Sequence, residues 1–168
     1  TAIYDTYANA ASTTQSNNTV SLNDQAGPTM VITSTTVSSG ATSNDGTIAM
    51  KFTSNESTAN LIAGDVIVTN GSIGALSGSD SVYTATLTPT GSGAVTVKIS
   101  AGAYTDAAGN TNTVSNTFTW TYDGTLPTIT ETTVANDNST IAVTFSEAVY
   151  NTDGGSGALE VGDFALSI

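Results

Sequence analysis

The chain has 168 residues, with 14 acidic side chains against two lysines and a formal charge of −12 at pH 7. That balance excludes nucleic acid, whose phosphates need clustered Lys and Arg, and it is repelled by an anionic membrane surface. Histidine, cysteine and arginine are all missing, which removes histidine-based triads, zinc sites, disulfide staples and arginine clamps.

Ser and Thr make up roughly a third of the residues, yet the Thr- and Val-rich alternation is too regular for a disordered acidic tail. No apolar run reaches the roughly 18 residues that a membrane span needs. In chain order, the spacing predicts strands at 29–33, 47–53, 66–70, 81–87, 94–100 and 116–122, separated by Asn/Gly/Ser/Asp turns such as Asn44-Asp-Gly46 and Asn70-Gly71. Period-two alternation puts Ile48, Met50 and Phe52 on one face and Lys51 on the other. It likewise puts Val95, Val97 and Ile99 inward with Lys98 outward. Trp120, the only tryptophan, joins Phe118 in the core.

The chain then repeats itself. Asp24-Gln-Ala-Gly-Pro28-Thr29 returns 99 residues later as Asp123-Gly-Thr-Leu-Pro127-Thr128. Thr47-Ile-Ala-Met-Lys-Phe52 returns as Thr140-Ile-Ala-Val-Thr-Phe145, each followed by a glutamate, Glu56 and Glu147. Gly64-Asp65-Val66 returns as Gly162-Asp163-Phe164. A period of roughly 100 residues suits independently folded domains in a row better than a solenoid. The expected division is 1–22 as the tail of a preceding repeat, 23–122 as one complete repeat, and 123–168 as the first strands of a following one. About seven strands in about 100 residues reads as an immunoglobulin-like β-sandwich. The fold class is therefore all-β: tandem sandwich repeats, one complete and two partial.

The ordered motifs Pro28-Thr-x-x-Ile-Thr, Phe52-Thr-Ser-Asn-Glu56, Gly64-Asp65-Val-x-Val-x-Asn70-Gly71, Tyr83-Thr-Ala-Thr-x-x-Pro89 and Thr105-Asp106-Ala-Ala-Gly109-Asn110 resemble the bacterial Ig-like domains of large extracellular adhesins. The resemblance covers 28–122 and the opening of a second copy from 127, which departs from it through a longer insert at 150–159. It implies an extracellular, tandemly repeated, non-catalytic module, and many relatives bind calcium at domain junctions.

Alternate loops of an antiparallel sandwich lie at opposite poles, which gathers Asp24, Glu56, Asp65, Asp106 and Asn110 at the end where the linker enters. Calcium takes six to eight hard oxygens in loose geometry, and Asp, Glu and Asn in loops suit it. The equivalents at the next junction are Asp123 and Glu147, with Asp163 as an addition. The competing reading is that these Asp and Asn side chains cap turns by accepting nearby backbone N–H groups. Two carboxylates could also cleave a glycoside, but acids repeated in each domain do not mark a single active site. Both lysines alternate outward, which argues against intramolecular isopeptide bonds. Asn17, Asn55, Asn70 and Asn138 each head an Asn-x-Ser/Thr sequon.

These features lead to a spacer or stalk of a surface adhesin or filament, with junctions stiffened by calcium. Its partners would be neighbouring repeats, with lateral self-association and glycans left open. Two alternatives are a glycan-adhesive module, which would need exposed aromatics in a row, and an accessory domain of a secreted hydrolase.

Overall fold

The structure, a computed structural model, describes residues 4, 6–9 and 24–165. The tail of a preceding repeat expected at 1–22, and the Asn17 sequon with it, fall almost wholly outside the described residues. The strands are β1 (Met30–Ser34), β2 (Thr42–Ser43), β3 (Ile48–Ser54), β4 (Val66–Thr69), β5 (Gly71–Ile73), β6 (Ser77–Ser79), β7 (Val82–Pro89), β8 (Gly93–Ile99), β9 (Phe118–Tyr122), β10 (Ile129–Val134) and β11 (Ile141–Phe145).

Two sheets face each other over residues 30–122. One runs β1-β3-β7-β5 with β6 also on β7, and the other runs β2-β9-β8-β4. Alternation dictates what lies between them. From the first sheet Met30, Ile32, Ile48, Met50, Phe52, Tyr83 and Leu87 point inward, and from the second Val66, Val95, Val97, Ile99, Phe118 and Trp120; all are buried. Lys51 and Lys98, one residue out of phase, are exposed. Each β-branched or aromatic side chain so buried contributes about 1.5–3 kcal/mol, which makes this double layer the main source of stability.

Polar side chains close the sandwich where strands do not. The Asn116 amide accepts from Ile32 N at 2.7 Å and donates to Ile32 O at 2.9 Å, so a side chain bonds the edge of β1 as a strand would. The buried Trp120 indole donates to Ser43 Oγ at 3.0 Å, which satisfies its one polar atom.

The six expected strands are present, shifted at their ends by up to two residues. Three short ones, β2, β5 and β6, were not foreseen. The segment expected as one strand at 66–70 instead ends at Thr69 and continues in the opposite sheet. Asn70 makes the crossing at φ 54°, a left-handed conformation that Asn tolerates. Gly71 then passes so close to the Thr88 carbonyl oxygen that a Cβ there would lie 2.9 Å from it, which explains the Asn-Gly pair.

Beyond Tyr122, β10 and β11 pair antiparallel as β1 and β3 do, with a register irregularity between Ile129 and Glu131. The second copy is two residues shorter here: Phe145-Ser-Glu147 stands against Phe52-Thr-Ser-Asn-Glu56. Its apolar residues are less covered than those of the first, Val143 and Phe145 being half-buried. Ile129 is 56% exposed and Ile141 is 50% exposed, whereas their counterparts Met30 and Ile48 are 3% and 1%.

Candidate functional site

The linker 24–29 enters the sandwich wedged between two loops. On one side Thr29 N donates to Asn55 Oδ1 at 2.6 Å and Asn55 N returns a bond to Thr29 O. On the other, Thr113 N donates to Pro28 O at 3.0 Å. Gly27 lies against the Thr111 carbonyl oxygen so tightly that any Cβ would collide with it. The backbone is thus fixed where Asp24 leaves it. Asp24 Oδ1 accepts from Ala26 N at 3.0 Å, an Asx turn that leaves its other oxygen available.

The second loop, 101–115, is built on three polar side chains. Asn112, buried, accepts from Tyr104 N at 2.9 Å and donates to Ser100 O and Thr113 O. Asp106, also buried, accepts from Asn110 N and from Asn110 Nδ2, both at 2.8 Å. The Asn110 amide, with the N–H groups of residues 108–110, holds the Asp106 carboxyl below the ordinary carboxylate value. Ser115 Oγ accepts from Ile99 N at 2.9 Å and anchors the loop to β8.

These two loops and the linker bring Asp24, Glu56 and Asp106 together, one ligand oxygen from each lying within 4.8 Å of the others; no other group of three acids does so among the described residues. Asp24 is exposed, Glu56 half-buried and Asp106 buried. Each carboxylate can accept about four hydrogen bonds or ligand contacts. Asp106 has at least two such positions taken and Asp24 one, so the cluster retains lone pairs beyond these bonds. Three acids this close, with no Lys or Arg ion pair between them, make a pole of strongly negative potential.

The remaining expected ligands divide. Asn110 reaches the cluster, but its amide nitrogen, not its oxygen, points there, donating to Asp106 Oδ2 and to Asp24 O at 3.1 Å. It therefore acts as a donor; turning the amide over would trade both bonds for one oxygen ligand. Asp65 is not part of the group. Its carboxylate accepts from Ile62 N at 2.9 Å and caps the 3₁₀ turn Ala63–Asp65. Asp163 does the same for Glu160 N at 2.8 Å in the turn Val161–Asp163, so Gly-Asp-Val and Gly-Asp-Phe are turn chemistry in both copies. Asp123 repeats the Asx turn of Asp24, accepting from Thr125 N at 3.1 Å. Glu147 is half-buried, and its Oε1 is shielded from solvent with no hydrogen-bond partner. The structure does not bring Asp123 and Glu147 into a group with a third acid.

At the opposite pole, a cleft of about 720 Å³ is lined by Thr42, Ser43, Asp123, Tyr150, Asp153 and neighbours, the insert of the second copy forming one wall. The sequons are unequal. Both polar atoms of the Asn70 amide are bonded, to Gly91 O and Thr90 Oγ1, and Asn55 Oδ1 holds Thr29 N. Asn138 sits exposed on the β10–β11 turn at φ 57°.

The family model of the bacterial Ig-like domain matches residues 24–122, from the linker aspartate to the end of β9. The chain belongs to the bacterial Ig-like domain family. This agrees with the resemblance read from the motifs and with the two-sheet architecture, and it makes residues 24–122 a member of a structural, non-catalytic fold family. Comparison with curated proteins and with solved structures gives no match. No helix among the described residues is long and apolar enough to cross a membrane.

Proposed function

We propose that this chain is a spacer segment of an extracellular repeat protein, a surface adhesin or filament, whose Ig-like units are held in line by calcium at their junctions. The observation that carries the reading is the meeting of Asp24, on the linker, with Glu56 and Asp106, on two loops of the domain it enters. A hard divalent cation at that point ties the linker to the pole of the sandwich. The ligands on offer are carboxylate oxygens from three separate segments, a set that suits the looser coordination of calcium better than the stricter octahedral demands of magnesium. Further ligands are within the same few residues: backbone carbonyls of the linker and water.

The acidic junction has a mechanical consequence. Without a cation the three carboxylates repel, which weakens the hold of the linker's first residues on the pole. With one, the same charges become the attachment, so calcium acts on the angle between units and leaves each sandwich core alone. The Asx turn of Asp24 recurs at Asp123, the equivalent linker position of the second copy. Aromatics are divided between core and surface, Tyr83 and Tyr104 being buried and Tyr150 exposed. That division favours a spacer over a glycan platform.

Small-angle scattering of the full chain with calcium and with chelator tests the reading. A stiffened junction gives a longer, narrower distance distribution in calcium. An identical maximum dimension in both conditions rules it out.

A further inference from the structure

The two ends of the complete sandwich leave it at opposite poles, yet the stretches behind them lie side by side. Hydrogen bonds between them climb in step along both. Thr113 N donates to Pro28 O at 3.0 Å. The Asn116 amide accepts from Ile32 N at 2.7 Å and donates to Ile32 O at 2.9 Å. Thr119 N donates to Ser39 Oγ at 3.1 Å, and Gly40 N to Thr119 O at 2.7 Å. Thr121 N then donates to Ala41 O at 2.9 Å, and Asp123 N to Ser43 O at 3.0 Å. β2 and β9 accordingly pair parallel, whereas the other strand pairs among the described residues are antiparallel. Residues 28–43 and 113–123 therefore run the same way, joined from the entry pole to the exit pole.

That arrangement has a mechanical meaning. Tension along the chain pulls the first stretch by its N-terminal end and the second by its C-terminal end, toward opposite poles. Side by side and in the same direction, the two are then forced to slide past each other. The bonds between them lie across the pull and share it, whereas a pair opened from one end gives up its bonds one at a time. Neither stretch can slip away on its other side. β1 is paired with β3 from Met30 to Ser34, and β9 with β8 from Phe118 to Tyr122. Phe118 and Trp120 root β9 in the core at 1% exposure each, and the Trp120 indole donates across the seam to Ser43 Oγ at 3.0 Å. Asn116 extends the seam from the second sheet to the edge of the first.

We propose that the seam between residues 28–43 and 113–123 is a shear clamp through which the domain withstands tension along the array, with Asn116 holding its lower half. The direction of pull comes from the spacer reading. Nothing comes from the cation, so the clamp operates in chelator.

Forced unfolding is governed by the unfolding rate, so single-molecule pulling of the full chain in two geometries is the test. The chain has no cysteine, and introduced pairs place the handles uniquely. Gln25→Cys with Thr125→Cys pulls from opposite poles and shears the seam. Asn44→Cys with Thr125→Cys separates two points that line one cleft at the exit pole and peels the seam from Ser43 downward. In chelator the unfolding force should be several-fold higher in the first geometry. Asn116→Ala should lower it there and leave the peeling force nearly unchanged, because peeling breaks the bonds at the exit pole before those of Asn116 come under strain. Trp120 fluorescence establishes that the variant is folded before it is pulled; if it is not, Ser39→Ala, which removes the acceptor of Thr119 N, takes its place with the same expectation. Equal forces in the two geometries overturn the clamp, as does a high shear force that vanishes in chelator. An equal loss in both geometries makes Asn116 a residue of general stability and overturns its place in the seam. A high shear force in chelator stands even if scattering shows no effect of calcium, so the two readings fail separately.

Discussion

Replacing Glu56 with Gln removes one charge from the acidic pole and almost nothing else, since its only side-chain bond is the long contact from Asn55. Two unit charges at the 4.8 Å limit of the cluster repel by about 0.9 kcal/mol in bulk water and about 3.5 kcal/mol at an effective dielectric constant of about 20. Asp24 is exposed and Glu56 half-buried, so the lower figure governs that pair, and Asp106 adds to it. The metal-free variant should then be more stable by about 1 kcal/mol, a melting temperature higher by about 4–8 °C for a domain of this size. Trp120, the only tryptophan and buried in the complete sandwich, reports that domain alone by fluorescence. In chelator at low salt Glu56→Gln should melt above wild type. In molar salt, where the screening length falls to about 3 Å, the gap should close. Calcium should reverse the order by stabilising wild type alone. A variant that melts at or below wild type in chelator at low salt would refute the geometry, because it would mean the carboxylates do not feel one another.

Three further outcomes follow from the same pole. Gly27→Ala forces a Cβ into the Thr111 carbonyl; we expect a lower melting temperature together with weaker calcium binding, both read in one calcium-dependent melting series. Asn112→Ala leaves one buried and two part-buried backbone groups without their partner, and at about 1 kcal/mol for the buried one and less for the others the urea midpoint should fall by the equivalent of about 2 kcal/mol. Asp106 is held below its ordinary value of 3.8 by the Asn110 amide and backbone N–H groups. Its contribution is therefore present above that pH and lost as pH falls through the lower folded value. Acid titration of Trp120 fluorescence should show Asp106→Asn losing less stability than wild type below about pH 4.

The sandwich was legible in the sequence because burial follows alternation. Ile48, Met50 and Phe52, and Val95, Val97 and Ile99, could each be placed on one face by counting in twos. Strands of two or three residues, β2, β5 and β6, carry no period to count, and the crossing at Asn70 shows itself only as an Asn-Gly pair that a hairpin would also use. The acidic pole was legible because loop polarity alternates with strand order, which is enough to bring residues 24, 56 and 106 to one end. What Asp65 does was not legible: a carboxylate that caps a 3₁₀ turn and one that faces a cation are the same residue type after the same glycine. Asn110 has the same ambiguity, since only its hydrogen bonds decide which end of the amide faces Asp106. Asn112 and Asn116 went unread because their roles depend on which backbone groups their amides meet, Tyr104 N and Ser100 O for one and Ile32 for the other. The nearest signal is their spacing, six and ten residues after Asp106.

Crystals of the full chain soaked in calcium, with anomalous scattering to locate the ion, test the central claim most directly. The account predicts a peak about 2.3–2.6 Å from oxygens of Asp24, Glu56 and Asp106, with Asp65 still capping its turn. A peak elsewhere, or a vacant pole at saturating calcium, would contradict it.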